Sequence, residues 1–184
     1  AQNGVGMLST AATSDGQTVE TLEPVLTIYQ GWNQVGVSKQ GASLDPATVF
    51  GESSMYQIID GSEFELLTSE PVQFDLGQAY WIYSEAGVSP PDAGGSAYSG
   101  SHQWTFTDSG WKMISNPYTS SLSWEDGSAD LECGAAPKTL PSAYHYEPGT
   151  GYMVVEPGAG SLIPWKGYWI NLSDDNCTLT VQEP

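Results

Sequence analysis

Arginine is absent from this chain, and lysine nearly so. Against 22 Asp and Glu stand four lysines (Lys39, Lys112, Lys138 and Lys166), giving a formal charge of −18 over 184 residues. Contacts to nucleic-acid phosphates draw on Lys and Arg to displace counterions, and four scattered lysines make no basic stripe, so nucleic acid is excluded as a partner class. Anionic membrane surfaces are disfavoured for the same reason. A compact body of this charge repels itself. Salt relieves the repulsion, because the screening length falls to ~3 Å at 1 M. The composition therefore suits concentrated salt.

Other absences narrow the chemistry. No run approaches the ~20 apolar residues of a membrane helix, so no membrane insertion is expected. Ala1–Gly6 offers neither a basic segment nor an apolar one, so no leader is expected within this chain: either one is removed, or, more simply, the chain is made in the cytoplasm and loses only an initiator Met. The two histidines, His102 and His145, lie at no metal-ligand spacing from either cysteine. No Ser or Cys stands in a nucleophile setting and no phosphate-loop pattern occurs, so neither catalytic residues nor cofactors are expected. Asp174-Asp175-Asn176 gathers hard oxygen ligands but lacks the spacing of a calcium loop, and a turn explains it equally well. Asn171-Leu172-Ser173 and Asn176-Cys177-Thr178 fit the glycosylation pattern, which matters only in an exported chain. Cys133 and Cys177 allow one internal disulfide, two free thiols or bonds to neighbouring copies. Helix signals are confined to Asp45-Pro46, a candidate cap and first turn running to Phe50.

The sequence does hold a core's worth of apolar residues, with seven Trp and ten Tyr, and one weak internal repeat. Gly31-Trp32 is echoed by Gly110-Trp111. Tyr56–Gly61 is echoed by Tyr144–Gly149, and Tyr80-Trp81-Ile82 by Tyr168-Trp169-Ile170. The first pair is offset by 79 residues (Gly31 to Gly110) and the last by 88 (Trp81 to Trp169). A nine-residue insertion is therefore expected between Trp111 and Tyr144, within the Gly-, Ser- and acid-rich stretch 120–138. Alternation at Trp104–Thr107 and Thr178–Gln182 predicts strands. Asp60-Gly61 between two apolar runs predicts a hairpin. The bulky stretches Tyr80–Tyr83 and Tyr168–Ile170 predict central strands packed on both faces, with Gly77 and Gly167 easing the chain into them. The expected architecture is all-β: a single antiparallel barrel or sandwich, jelly-roll-like, over 24–184. It has repeat halves near 25–86 and 103–182, an exposed linker at 87–102 and a polar N-terminal arm at 1–23.

The tryptophans divide by the repeat. Trp32, Trp81, Trp111 and Trp169 recur and are expected in the core. Trp104, Trp124 and Trp165 have no counterpart, and they are the candidates for an interface anchor or a sugar-stacking platform. Trp124, inside the inserted acidic stretch, is the candidate contact with another subunit.

Haloadapted charge, an all-β chain of this size and the lack of a catalytic set together resemble the smaller major capsid protein of tailless icosahedral haloarchaeal viruses with an internal membrane, the sphaerolipoviruses. The resemblance implies a single upright β-barrel in a virion shell assembled in the host cytoplasm. Its partners would be further copies of itself and a second, larger capsid protein. The Gly-Trp and Tyr-Trp repeat also resembles modules of large bacterial and archaeal surface proteins, which implies an extracellular adhesion, surface-layer or carbohydrate-binding role.

Overall fold

The computed structural model describes residues 7–14, 17–24, 27–41, 54–60, 63–67, 75–85, 87 and 95–184, the strands at 7–14, 17–24, 54–60 and 63–67 as backbone only. Every regular element among them is a strand. The first nine are β1 (Met7–Ser14), β2 (Gln17–Pro24), β3 (Gly31–Gly36), β4 (Lys39–Gln40), β5 (Ser54–Asp60), β6 (Glu63–Leu67), β7 (Ala79–Ser84), β8 (Ser96–Ala97) and β9 (His102–Phe106). The rest are β10 (Gly110–Ser115), β11 (Leu122–Ser123), β12 (Ala129–Cys133), β13 (Ala136–Lys138), β14 (Ala143–Glu147), β15 (Gly151–Val155), β16 (Ser161–Leu162), β17 (Gly167–Leu172) and β18 (Cys177–Val181). All pairings between these strands are antiparallel, and the all-β expectation holds. The strands form open sheets; none closes into a barrel among the described residues. The Asp45–Phe50 helix signal lies outside the described residues.

The repeat is a repeat of topology. The first half builds a four-stranded sheet in the order β3-β7-β5-β6, and the second half builds β10-β17-β14-β15. Each sheet thus runs first, fourth, second, third strand of its copy. Registers match residue for residue: Trp32 faces Tyr83 and Trp81 faces Gln34 in one, as Trp111 faces Asn171 and Trp169 faces Met113 in the other. As predicted, β7 and β17 are the central strands that the other members flank. The offset, however, grows in two steps. It is 79 at β3/β10, 87 at β5/β14 (Tyr56 and Ala143 face Ile82 and Ile170) and 88 at β6/β15. Eight of the nine extra residues therefore lie between β10 and β14. The ninth lies in the hairpin link, because Asp60 pairs with Glu63 whereas Glu147 pairs with Gly151.

The two sheets meet through equivalent faces. Gly36 N–H donates to the Trp165 carbonyl at 3.0 Å, and Ser115 N–H donates to the Gly77 carbonyl at 2.7 Å. Gly36 and Ser115 are repeat equivalents, and so are Gly77 and Trp165. Each bond is thus the other with the copies exchanged, which is the signature of an isologous, two-fold contact. Gly77 and Trp165 both adopt positive φ, at 78° and 65°. Glycine does so freely; tryptophan at this position carries a steric cost, held by its place in the interface. The expected partner of Gly77 was Gly167, but Gly167 matches Ala79, and its bareness has another cause. A Cβ there would stand 2.8 Å from Gln34 Cγ and 2.9 Å from Ala79 Cβ. Tyr80 and Tyr168 repeat a further detail, their hydroxyls accepting the N–H of Asp75 (2.8 Å) and Ile163 (2.7 Å). Burial pushes both phenols well above their usual range. Ser38 ties the halves again, donating to the Asn116 carbonyl and accepting from Trp165 N–H. The two halves are one fused body.

The opposite face of the second sheet is covered by a third sheet, β13-β12-β18-β9. Between them lies the main core, in which Ile114, Tyr168 and Ile170 pack with Leu131, Leu179 and Trp124. This third sheet corrects the reading of 120–138. The stretch carries β11, β12 and β13, and Ala129-Asp130-Leu131-Glu132-Cys133 alternates buried and exposed along its length. Its acids are the solvent side of a strand. Within the N-terminal arm, β1 pairs antiparallel with β2 from Met7–Pro24 to Ser14–Gln17. Of the linker at 87–102, Ser96 and Ala97 are exposed as expected, yet they pair with β4, and His102 already belongs to β9.

Candidate functional site: two equivalent aromatic ridges

β3 and β10 each open with a glycine at positive φ (Gly31 at 99°, Gly110 at 93°) followed at once by tryptophan. That turn delivers Trp32 and Trp111 to the inter-copy face of their sheets, beyond the area where the copies overlap. Both stay largely open, 42% and 46% exposed. Each stands edge-on against the tryptophan of the central strand. Trp32 lies 6.4 Å from Trp81 with planes at 83°, and Trp111 lies 6.4 Å from Trp169 at 85°. A tyrosine braces each ring: Tyr83 at 5.3 Å from Trp32 and Tyr144 at 5.6 Å from Trp111. Edge-to-face pairs of this kind contribute about 0.5–1.5 kcal/mol each beyond burial. The first ridge crosses the copy boundary, because Trp81 contacts Tyr146 at 5.3 Å and Tyr146 contacts Tyr152 at 5.6 Å.

The tryptophans thus invert the expectation. The recurring pair Trp32 and Trp111 is exposed; Trp81 and Trp169 are half-buried between the copies. Trp124, the expected subunit contact, is fully buried, with its indole N–H donating to the Pro141 carbonyl at 2.8 Å. Its side chain presents no surface to a partner in this structure. Trp104 is buried as well, its indole bonded to the Gly77 carbonyl. Trp165 joins the halves through its backbone, its carbonyl accepting from Gly36 and its N–H donating to Ser38. Trp104 and Trp124 thus fill places inside, whereas Trp165 is half-buried.

Cys133 and Cys177 face each other across β12 and β18 and are joined as a disulfide. Of the expected alternatives, the internal bond is the one present. The acids of 174–175 serve turns. Asp174 pairs with Lys138 at 3.2 Å and accepts from Ser173 Oγ, while Asp175 accepts the Ser109 N–H at 2.7 Å. These hydrogen bonds hold both carboxyls below their usual range. No group of three or more His, Cys, Asp or Glu suited to a metal ion occurs among the described residues. Both sequon asparagines are exposed, but Asn176 sits at positive φ with its backbone bonded to Thr107 and Gly134, whereas Asn171 lies in β17 opposite Trp111.

The remaining charged cluster joins the copies' boundary to the core. Lys166 Nζ bonds the Glu147 carboxylate, and His145 Nδ1 stands 3.4 Å from the same oxygen, near enough for charge interaction but without hydrogen-bond geometry. Burial, reinforced by the Lys166 charge, holds His145 below its usual range, and burial does the same for His102. Both are neutral imidazoles near pH 7 and offset none of the acidic charge. What the ridges offer is flat aromatic surface beside polar backbone and amides, suited to stacking and packing rather than proton transfer. No known protein family, curated protein or solved structure matches this chain.

Proposed function

We propose that this chain is a non-catalytic building module of an exported, cell-surface protein, working through contacts rather than chemistry. The observation that carries this reading is the Cys133–Cys177 bond, buried where two strands of the outer sheet are joined, because such bonds form and persist in oxidising compartments. The duplicated sheet agrees with the repeat's resemblance to surface-protein modules. Trp32 and Trp111, exposed at equivalent positions, supply two similar aromatic sites for adhesion. A virion-shell role remains the second reading, favoured by the −18 charge and the absence of basic partners' chemistry; its expected upright barrel finds no support in the open sheets.

Fractionation of the native source tests the proposal. The chain is expected in the envelope or extracellular fraction, protected from thiol alkylation until reduced. Recovery from the cytosol as a dithiol would overturn the export reading, and recovery in regular icosahedral particles would replace it with the shell reading.

We further propose that the fold is tuned to brine. Raising NaCl from about 0.1 M to about 1 M, which shortens the screening length from ~10 Å to ~3 Å, is expected to raise the melting temperature by several degrees. An equal osmolarity of neutral solute is expected to do less. A melting temperature indifferent to salt would remove this part of the reading.

A further inference from the structure

We propose that β15 is an acceptor edge for β1 of a second copy of this chain, so that copies join head to tail by strand addition. This deepens the building-module reading by naming the partner, and it is tested on the purified chain, independently of where the chain resides.

β15 is an edge strand of the second sheet, with no strand on its outer side among the described residues, and it is exposed on both faces. Tyr152, Met153 and Val154 are 57%, 43% and 49% accessible in succession. An uncharged apolar edge is an open template for another strand, and proteins usually blunt it with charge or proline. Among the described residues, the other edges of the four-stranded sheets differ from it. β6 carries Glu63 and Glu65, β10 carries Lys112 and β13 carries Pro137 and Lys138. Most of β3 is buried, and β9 exposes no large apolar side chain. Gly151–Val155 has neither charge nor proline. The edge also continues an existing interface. The aromatic row that links the copies, Trp32–Trp81–Tyr146–Tyr152, ends on β15, so an added strand extends packing already present.

The occupant follows from charge. In a chain of −18, an added strand bearing acids would meet an acidic body. β1, Met-Leu-Ser-Thr-Ala-Ala-Thr-Ser, has no charged residue, whereas its partner β2 carries Glu20 and Glu23. The β1–β2 hairpin forms a sheet of its own, pairing with no third strand among the described residues. A lone two-stranded hairpin is marginal in water and gains from a third strand. Donor β1 and acceptor β15 are different surfaces, so the contact is heterologous and repeats from copy to copy rather than closing as a symmetric pair.

Light scattering on size-fractionated full-length chain in molar salt tests this. The wild-type mass is expected to rise with concentration to twice the monomer and beyond. Two variants each keep one half of the contact: Tyr152→Lys/Val154→Lys spoils the acceptor, and Thr10→Pro spoils the donor. Each alone is expected to remain monomeric, with unchanged circular dichroism and melting temperature establishing that it is folded. Mixed in equal amounts, they are expected to form heterodimers and stop there, since one intact donor and one intact acceptor remain. Wild type that stays monomeric at every concentration overturns the proposal. So does assembly that survives Thr10→Pro, which would mean β15 pairing with β15, and so does a mixture that yields no heterodimer.

Discussion

Replacing both cysteines by alanine is expected to lower stability by about 3–4 kcal/mol, the chain-entropy value for a closure of this length. The bond spans a sequence separation of 44 residues. It joins β12, which belongs to the segment added in the second copy, to the C-terminal β18. Without it, the unfolded chain regains the freedom of that loop, and the folded state loses the cross-link that holds the added segment to the sheet. For a chain of this length the loss corresponds to roughly 10 °C in melting temperature. Denaturant melts of the wild type and the Cys133→Ala/Cys177→Ala variant measure it. An unchanged midpoint would mean that the core between the second and third sheets suffices alone. Reduction should act slowly on the native state, because both sulfurs belong to buried residues. That behaviour is the one expected of a disulfide that is structural rather than regulatory.

Much of this architecture is legible in the sequence, and the failures have physical causes. The repeat was visible because Gly-Trp and Tyr-Trp-Ile occupy positions whose geometry recurs, namely the strand start at positive φ and the central strand of a sheet. Repetition preserves position in the fold, not burial, so Trp32 and Trp111 read as core although the face they occupy is only partly covered. Trp124 misled for the opposite reason: acidic neighbours suggested solvent, but Asp130 and Glu132 are the outward half of an alternating strand. The period-two pattern over Ala129–Cys133 was the available signal. The ninth inserted residue escaped because matching Tyr56 to Tyr144 hides a one-residue change in link length, which only pairing reveals. The reciprocal contact between copies had no sequence signal, since Gly36 and Ser115 share no residue type.

That reciprocal contact yields the other large effect. A Cβ on Gly36 would lie 2.0 Å from Ser115 Cβ, 2.5 Å from Ser115 Oγ and 3.0 Å from the Lys166 carbonyl oxygen. Gly36 and Ser115 sit where the copies cross, each the other's repeat equivalent, so neither backbone can withdraw without dragging its own sheet. Gly36→Ala is therefore expected to cost about 3 kcal/mol, the upper part of the range for overpacking a fixed interior. Ser115→Gly alone should cost about 1 kcal/mol, from lost backbone restriction and from the Ser115 Oγ–Gln78 carbonyl bond (3.0 Å) that it removes. In the double variant most of the clash disappears, because the nearest atoms belong to the Ser115 side chain. The two changes together are expected to destabilise less than the sum of the separate changes by at least about 1 kcal/mol, a coupling well beyond the scatter of independent sites. Melts of the four proteins in molar salt measure it. Additive effects would show that the sheets can slide apart at this point, and the two-fold crossing would then be a loose contact rather than the hinge of the fold.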